Sequence, residues 1–384
     1  APHPAGSLLE ARRGRVSADR FEGASMKRRA FLGSAAAMGA GALAAPAVAQ
    51  SAPQIRWRMT STFPKALDIT YGAGEMFCRY VSELTDGKFV IQQFAAGEIV
   101  PGFQVLDATQ NGTVEAGYTG LLFNIGKSPV FPLTASAPFM MNPRAQNAWY
   151  YHADGLAMTN AFLRDYNIVG YPCGNTGMQW GGWFKKEIRK VEDLKGLKMR
   201  IAGLAGVIAA RVGVVPQQIA PGDIYPALER GTIDAVEYIG PYDDEKLGFQ
   251  KIVQRYYSPG WQEGGTIFHA IFNLPKYEEL PPLYKKAIEI ASKAVTLDMM
   301  AHYDQKNPEA LMRLVAQGVK VSIFPNEVLA KLHDEAEAYY KETSAANPAF
   351  AKMFDHQRDF MKKSYTYQKV ADFQYDLMML KLRP

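Results

Sequence analysis

The sequence predicts an α/β protein with two lobes and long C-terminal helices. Strand and helix patterns alternate between residues 55 and 272, an order typical of parallel sheets with crossover helices. The chain has 384 residues, which is more than one hydrophobic core usually serves. After residue 283 the apolar residues follow a helical spacing for most of the remaining chain.

The N-terminal region is predicted to be an export signal and not part of the fold. Residues 26–49 begin with the charged pair Arg28-Arg29, continue with an apolar stretch rich in Ala and Gly, and end in Ala47-Val48-Ala49. This pattern indicates a secretory signal of the twin-arginine type and therefore a periplasmic mature chain. A membrane anchor is the alternative, which the glycines of the apolar stretch disfavour. We interpret residues 1–25 as an upstream extension or an expression remnant.

A first α/β lobe is predicted over residues 50–173 and 265–310. Its strands are indicated by alternating or β-branched and aromatic residues, and its helices by apolar residues three or four positions apart. The expected elements are strand 55–63, helix 66–84, strand 89–94, helix 103–109, strand 114–119, helix 145–165, strand 168–172 and strand 265–272.

A second α/β lobe is predicted over residues 174–264 and 311–349, where the alternation repeats. Gly181-Gly182 would allow a ligand or another backbone segment to approach closely. The expected elements are strand 178–184, strand 198–201, helix 206–212, strand 214–219, helix 224–230, strand 235–239 and strand 319–324.

The C-terminal part is predicted to be helical, with interruptions at Asn307-Pro308 and Asn347-Pro348. Residues 350–384 are expected to form one last helix. Thirty helical residues extend about 45 Å, which is longer than a lobe of this size is wide. This helix therefore either folds back along its own chain or packs on a second copy in a homodimer. Its exposed apolar residues would be Phe360, Tyr367, Phe373 and Met378.

Composition and motifs argue against several functional classes. Residues 1–49 contain seven Lys/Arg and three Asp/Glu, so the rest of the chain has a net charge near +1, which gives no overall support for binding nucleic acid. The six histidines are scattered, and the usual nucleotide, zinc-protease and serine-hydrolase motifs are absent, which disfavours an enzyme. Cys78 and Cys173 are expected to be buried and apolar, and a disulfide between them is the alternative.

Charged residues at two strand ends are candidates for a ligand site. Arg200 ends the predicted strand 198–201, and its guanidinium is a two-pronged donor suited to a carboxylate. Glu237 and Tyr238 lie near the end of strand 235–239, where open α/β sheets place their ligand sites. The alternatives are a solvated surface position for Arg200 and a structural salt bridge for Glu237.

Residues 194–248 resemble the solute receptors of TRAP transporters, the DctP type, and in particular the branch that binds 2-oxo or 2-hydroxy monocarboxylates. The most specific parts are Lys198-Met199-Arg200, residues 223–235 and the run Glu237-Tyr238-Ile239-Gly240-Pro241. The similarity extends over the whole mature chain. It implies a type II-like periplasmic binding protein fold and a receptor that delivers an organic acid anion, such as pyruvate or lactate, to the membrane subunits of a TRAP permease.

The resemblance also implies roles for individual residues. Arg200 would bind the ligand carboxylate. A Na⁺ or Ca²⁺ ion would connect ligand and protein through Gln179, Glu237 and the main-chain carbonyl of Tyr238, with Glu263 as a further acidic contact. Oxygen ligands of this kind suit Na⁺ or Ca²⁺ better than Zn²⁺. Tyr118 is expected to be a further substrate contact.

Two alternatives remain open on the sequence. The ligand could be a C4-dicarboxylate, because this class also requires Arg200. The protein could instead be a periplasmic lyase or isomerase that acts on an oxo acid through Glu237 and the cation. Tyr238 stands where the 2-oxo acid branch commonly has Trp, so the pocket wall, and with it the size of the ligand, is expected to differ.

Overall fold

The structure is a computed structural model that describes residues 53–382. The predicted signal over residues 26–49 and the upstream segment 1–25 lie outside the described residues. Two sheets with their helices form two lobes, followed by long C-terminal helices, which confirms the predicted fold class. The residue boundaries of the lobes stay a prediction. None of the helices between residues 53 and 382 is both long and apolar enough to cross a bilayer.

The first sheet has five strands in the order β2-β1-β3-β10-β4. β1 is parallel to β2 and β3, whereas β10 is antiparallel to β3 and β4, so the sheet is mixed and not wholly parallel as predicted. β2 has the bounds that the sequence predicts. The strands are β1 (Ile55–Ser61), β2 (Phe89–Phe94), β3 (Ala116–Thr119), β4 (Ile168–Asn175) and β10 (Ile267–Asn273).

The second sheet has six strands in the order β11-β9-β5-β8-β6-β7. β5 is antiparallel to its neighbours β8 and β9, and the remaining pairs are parallel. Strand β9 is absent from the sequence prediction. The strands are β5 (Gly182–Phe184), β6 (Lys198–Arg200), β7 (Val215–Gln217), β8 (Ala235–Val236), β9 (Arg255–Ser258) and β11 (Lys320–Ile323).

Helices connect the strands and cover the sheets. Those of the two lobes are α1 (Thr70–Glu83), α2 (Val105–Gln110), α3 (Val130–Leu133), α4 (Pro143–His152), α5 (Gly155–Leu163), α6 (Gly203–Arg211), α7 (Ile224–Glu229) and α8 (Pro241–Leu247). The later helices are α9 (Leu274–Glu278), α10 (Pro282–Ala316), α11 (Asn326–Ala346), α12 (Pro348–Val370) and α13 (Asp372–Leu382).

Three of the predicted helix boundaries are wrong. The predicted helix 145–165 is interrupted near Asp154, whose φ of 62° is left-handed and cannot continue a helix. The predicted break at Asn307-Pro308 does not occur, because buried residues after the proline, such as Leu314, keep α10 packed. The predicted single helix over residues 350–384 is interrupted at Ala371, where α12 ends.

Of the two predicted arrangements of the last helix, the structure shows the fold-back for α12, and packing on a second copy stays a prediction. α12 folds back along its own chain, where Phe354 stacks on Tyr340 of α11 with ring centroids 4.5 Å apart. Gln357 donates a hydrogen bond of 2.6 Å to the main-chain oxygen of Leu133. α13, in contrast, has no buried residue. The aromatic and aliphatic residues beyond α12 therefore lie on an open surface.

Both cysteines are buried and free, Cys78 in α1 and Cys173 in β4. This confirms the prediction of small buried apolar residues. The alternative of a disulfide is wrong. Burial raises the pKa of both thiols, so neither is a ready nucleophile.

Candidate functional site

Strand ends from both sheets meet at one cleft of about 290 Å³. Arg200 ends β6 and Glu237 directly follows β8, which is the parallel neighbour of β6. The carboxyl ends of parallel strands lie at the same edge of a sheet, so the two side chains face the same space. The cleft is lined by Phe63, Leu122, Phe123, Gln179, Arg200, Ala202, Glu237, Tyr238, Ile239, Glu263, Thr266 and Phe268.

Arg200 and Glu237 form a buried ion pair. Nη1 of Arg200 lies 2.6 Å from Oε1 of Glu237 and 2.6 Å from its main-chain oxygen, and Nε donates to the main-chain oxygen of Ile219. The solvated position considered for Arg200 is therefore wrong, and the salt bridge considered for Glu237 is present. No acceptor among the described residues binds Nη2 of Arg200, so this nitrogen remains for an anion in the cleft.

Glu237 keeps one carboxylate oxygen for another partner. Arg200 and the amide of Ala202 both bind the same oxygen, Oε1, which leaves Oε2. Burial raises the pKa of Glu237 to about 7, whereas the Arg200 charge and the Ala202 amide oppose this increase.

Glu263 is the second buried carboxyl group of the cleft. Its Oε2 accepts a hydrogen bond from the hydroxyl of Thr266. Burial raises the pKa of Glu263 to about 8, and the neighbouring charge of Glu237 contributes to the increase. Burial and the Glu237 charge therefore both favour the protonated form of Glu263. A cation nearby favours the ionised form of the side chain.

Gln179 presents an acceptor oxygen without a partner. Its Nε2 donates to the hydroxyl oxygens of Thr266, at 2.9 Å, and Thr176, at 3.2 Å. Its Oε1 is buried and has no hydrogen-bond partner. A buried carbonyl oxygen in this state is costly unless a donor or a cation binds it.

Of the two tyrosines predicted to contact the ligand, one lines the cleft and the other does not. Tyr238 lines the cleft, and its ring lies 5.5 Å from Cζ of Arg200, within range of a cation–π interaction. Tyr118 does not line the cleft. Its hydroxyl donates to the main-chain oxygen of Cys173 at 3.0 Å, and its ring packs on Phe63, so it supports the cleft wall from behind. The structure therefore brings five of the six predicted residues together.

The sequence interpretation missed the apolar side of the cleft. Phe63 follows β1, and Leu122 and Phe123 follow β3, both at carboxyl ends of parallel strands. Phe268 lies near the start of the antiparallel strand β10, which reaches the same edge. The rule that identified Glu237 would also have found the first three residues, since it applies to every parallel strand of both sheets.

Two more buried carboxyl groups lie outside the cleft lining, in α8. Asp243 accepts a hydrogen bond of 2.5 Å from the hydroxyl of Tyr303, and Asp244 accepts from the side chains of Trp183 and Tyr256. Burial raises the pKa of Asp243 to about 7 and that of Asp244 to about 6. Neither carboxyl group lines the cleft, but Asp244 also accepts from the main-chain amide of Ile239, which does line it.

No group of three or more His, Cys, Asp and Glu residues between positions 53 and 382 could hold a metal ion. A cation in the cleft would therefore need other oxygen ligands. The unpartnered oxygen of Gln179, the second oxygen of Glu237 and the carboxyl group of Glu263 are of the type that Na⁺ and Ca²⁺ accept. The residues present fit such an ion, provided that a bound acid supplies further oxygens.

Comparisons with known proteins identify the family of this chain. The family model for bacterial extracellular solute-binding proteins, family 7 (DctP), matches residues 60–347. The monocarboxylate 2-oxoacid-binding periplasmic protein of Nostoc sp. (strain PCC 7120) is 44% identical over 324 residues, which are 84% of this chain and 89% of that protein.

Two crystal structures are similar over nearly the same part of the chain. A TRAP transporter solute binding protein of Bordetella bronchiseptica RB50, a mixed-occupancy dimer with copurified calcium and picolinate, has 44% identity and a TM-score of 0.84, covering 86% of this chain and 98% of that chain. A TRAP periplasmic solute binding protein of Pseudoalteromonas atlantica T6c with bound sodium and pyruvate has 32% identity and a TM-score of 0.82, covering 86% of this chain and 100% of that chain. The chain belongs to the DctP family of bacterial extracellular solute-binding proteins.

Proposed function

We propose that the protein is the receptor of a TRAP transporter that binds a 2-oxo or 2-hydroxy monocarboxylate together with a Na⁺ or Ca²⁺ ion. It delivers the acid to the membrane subunits of the permease. The main support is the pairing of two free groups in one cleft. Nη2 of Arg200 remains available for an anion, and Oε1 of Gln179 remains available for a cation.

The charges of the cleft favour joint binding of an anion and a cation. Glu237 pairs with Arg200, and burial raises the pKa of Glu263, which favours the uncharged form of that side chain. An acid anion that entered alone would add an uncompensated charge to a buried site, which is costly. A cation held by Gln179, Glu237 and Glu263 would remove this cost and bind the oxygens of the acid.

The same charges disfavour the alternative C4-dicarboxylate. Among the described residues that line the cleft, Arg200 is the only basic side chain. A second carboxylate would have to lie against the apolar wall or beside Glu237 and Glu263. Neither position offers it a positive partner other than the cation. A monocarboxylate avoids this penalty.

The family assignment also decides between receptor and enzyme. Members of this family are extracellular solute receptors of transport systems, and the Nostoc relative is a periplasmic binding protein. The chain is therefore an extracytoplasmic receptor, and the predicted alternative of a lyase or isomerase is not retained.

Calorimetry with pyruvate tests the proposed function. We expect one pyruvate per chain in a buffer with NaCl or CaCl₂, and at least about tenfold weaker binding when Na⁺ is replaced by a bulky organic cation and Ca²⁺ is chelated. Proton NMR of the same mixture is expected to show no consumption of pyruvate. Tighter binding of succinate than of pyruvate, or binding that ignores both cations, would contradict the proposal.

We further propose that the receptor forms a homodimer through its C-terminal helices. The support is the exposure of α13, none of whose residues is buried. Its exposed apolar residues are Phe373, Tyr375, Met378 and Leu380. Exposed apolar surface of this extent often marks the place where a partner binds. The Bordetella relative is described as a dimer.

Light scattering tests the dimer. The full chain is expected to have twice the mass of one chain at tens of micromolar, and a chain that ends at Val370 is expected to be a monomer. Pyruvate binding serves as the control for folding of the truncated chain. A full-length monomer, or a dimer that survives the truncation, would contradict this arrangement.

A further inference from the structure

A second, larger cavity lies next to the ligand cleft. This outer cavity is a groove between the two lobes that is open to solvent, and its space of about 1120 Å³ includes the solvent at its mouth. Residues of the first lobe after β1 and β2 line one side, and residues that follow β7 line the other. Its lining consists of Thr62, Pro64, Ala96, Gly97, Pro101, Gly102, Phe103, Gln218, Ile219, Ala220, Gly222 and Asp223.

Two aromatic rings in tilted contact lie between the outer cavity and the cleft. Phe123 lines the cleft and Phe103 lines the outer cavity, and their ring centroids are 4.9 Å apart. Both side chains are half-buried, as expected for residues between two cavities. We call the pair Phe103 and Phe123 the aromatic partition.

Contacts from the second lobe hold the chain segment that carries Phe123. The main-chain oxygen of Phe123 accepts a hydrogen bond of 2.9 Å from Nε2 of Gln218, which belongs to the second lobe. The neighbouring Leu122 packs against Gly203 of α6 so closely that a methyl group added to this glycine would lie only 3.1 Å from Cδ1 of Leu122. These two contacts hold the main chain around Phe123, and Phe103 packs against its ring.

The polarity of the cleft determines which end of an acid faces the partition. Arg200, Gln179, Glu237 and Glu263 form its polar side, so the carboxylate and the 2-oxo oxygen bind there. The remaining carbon chain must face the opposite, apolar side. On that side the ring of Phe63 packs inward on Tyr118 and Phe268, whereas the ring of Phe123 packs outward on Phe103.

We propose that the aromatic partition sets the maximum length of the acid that the receptor binds, and that the outer cavity is a subsite for the carbon chain of longer 2-oxo acids once the partition is opened. This inference rests on the proposed function. It adds a limit on chain length and names Phe123 as the residue that imposes it. The lining of the outer cavity includes Asp223 but no basic residue, which disfavours a second carboxylate, and its apolar residues Pro64, Phe103 and Ile219 offer contacts for an aliphatic chain.

A chain-length series of ligands tests the partition. The probes are pyruvate, 2-oxobutanoate, 2-oxohexanoate and 2-oxooctanoate, and calorimetry gives the dissociation constant of each in a buffer with CaCl₂. The wild-type protein is expected to bind 2-oxooctanoate at least about tenfold more weakly than pyruvate, although burial of each additional methylene group would otherwise strengthen binding about fourfold.

Variants at Phe123 are expected to change the ratio between long and short acids. Phe123→Ala opens the partition, and we expect the affinity for 2-oxooctanoate relative to pyruvate to increase at least about tenfold. Phe123→Leu is expected to shift the ratio in the same direction by a smaller factor, and it tests the inference if the alanine variant does not fold. Phe162→Ala, a similar half-buried position that lines neither cavity, is expected to leave the ratio unchanged.

The possible failures are distinguishable. If the wild-type protein binds no acid of the series, the proposed function is wrong. Two results would contradict the proposed limit on chain length and leave the proposed receptor function intact. The first is equal affinity of the wild type for pyruvate and 2-oxooctanoate. The second is a change of no more than about threefold in the ratio of these two affinities in both Phe123 variants. A purely structural role of Phe123 would weaken all four acids alike and would leave the ratio unchanged.

Discussion

Nη1 of Arg200 lies 2.6 Å from Oε1 of Glu237, and each of the two side chains is only 2% exposed. The same nitrogen also donates to the main-chain oxygen of Glu237. Arg200 therefore has two roles, since it offers Nη2 to a ligand and neutralises a buried carboxylate. Removal of one partner of such a pair leaves the other charge buried without compensation.

Arg200→Lys is expected to abolish useful binding of pyruvate. Lysine keeps the charge but lacks the planar guanidinium group, whose several N–H donors can bind Glu237, Ile219 and the ligand at the same time. Loss of one partner of a buried pair costs about 3 to 5 kcal/mol, which corresponds to a factor of hundreds to thousands in affinity. Calorimetry measures the loss, and thermal unfolding is expected to show a lower melting temperature.

The control for this variant is Arg211→Lys, a surface arginine that pairs with Glu342. Exposed ion pairs contribute little to stability, so this variant is expected to bind and melt like the wild type. Binding of pyruvate by Arg200→Lys within about threefold of the wild type would refute the role of Arg200.

Glu237→Gln is expected to weaken pyruvate binding through the cation. The amide oxygen still accepts from Arg200 and Ala202, but the formal charge next to the proposed ion is lost. The dissociation constant of pyruvate measured at increasing CaCl₂ is expected to approach the wild-type value. Glu342→Gln changes an exposed carboxylate and serves as the control. An affinity deficit that is equal at every Ca²⁺ concentration would exclude a role through the cation.

The ligand-free protein is expected to lose stability as the pH rises from 5 to 8. Burial raises the pKa of Asp243 to about 7 in the folded state, above its ordinary value near 4 in the unfolded chain. The stabilising contribution is therefore fully present below about pH 4 and is lost as the pH rises through 7. Asp244, Glu237 and Glu263 act in the same direction, because their pKa values are also raised.

Asp243→Asn tests this pH dependence. The amide oxygen still accepts from the Tyr303 hydroxyl, but position 243 no longer ionises. Relative to the wild type, this variant is expected to gain at most about 3 kcal/mol in its free energy of unfolding between pH 5 and pH 8, as urea titrations at both pH values would measure. Asp165→Asn at an exposed position is the control. An unchanged pH profile of the Asp243 variant would contradict the prediction.

Both thiols are expected to be unreactive in the folded protein. Cys78 and Cys173 are buried and free, and burial raises their pKa values. A chromogenic disulfide reagent is expected to detect no thiol in the native protein and two thiols per chain in guanidinium chloride. A reaction of the native protein would contradict the burial of the cysteines, and detection of no thiol after unfolding would indicate a disulfide.

Local patterns predicted most of the fold, and non-local packing caused the errors. The strand Phe89–Phe94 follows from β-forming residues between turn signals. The predicted strand 178–184 is shortened to start at Gly182, because Gly182 has a φ of 110° and approaches Val236 closely. The helix through Pro308 was unpredictable for a similar reason, since distant contacts of α10 compensate the local preference against proline.

The candidate site was predictable by residue type but not by pairing. Arg200 and Glu237 stand at strand ends, so their approach to a common edge follows from the sheet rule. Their ion pair joins positions 37 residues apart in the chain and depends on the adjacency of β6 and β8, which no local pattern encodes. The sequence also could not predict that Tyr118 lies behind the cleft wall. Alternation along β3 does not show which face of the strand borders the cleft.

The continuous helix α10 limits how the two lobes can move relative to each other. It packs on β4 of the first lobe and on α8 of the second, and it does so as one segment of 35 residues. The lobes thus share a rigid axis, which leaves rotation about that axis as the motion with the fewest broken contacts. Fluorophores on Ala96 and Gln218, on opposite sides of the cleft mouth, would then change their separation on ligand binding. A pair on Lys285 and Arg313, both on the axis itself, would keep a constant distance.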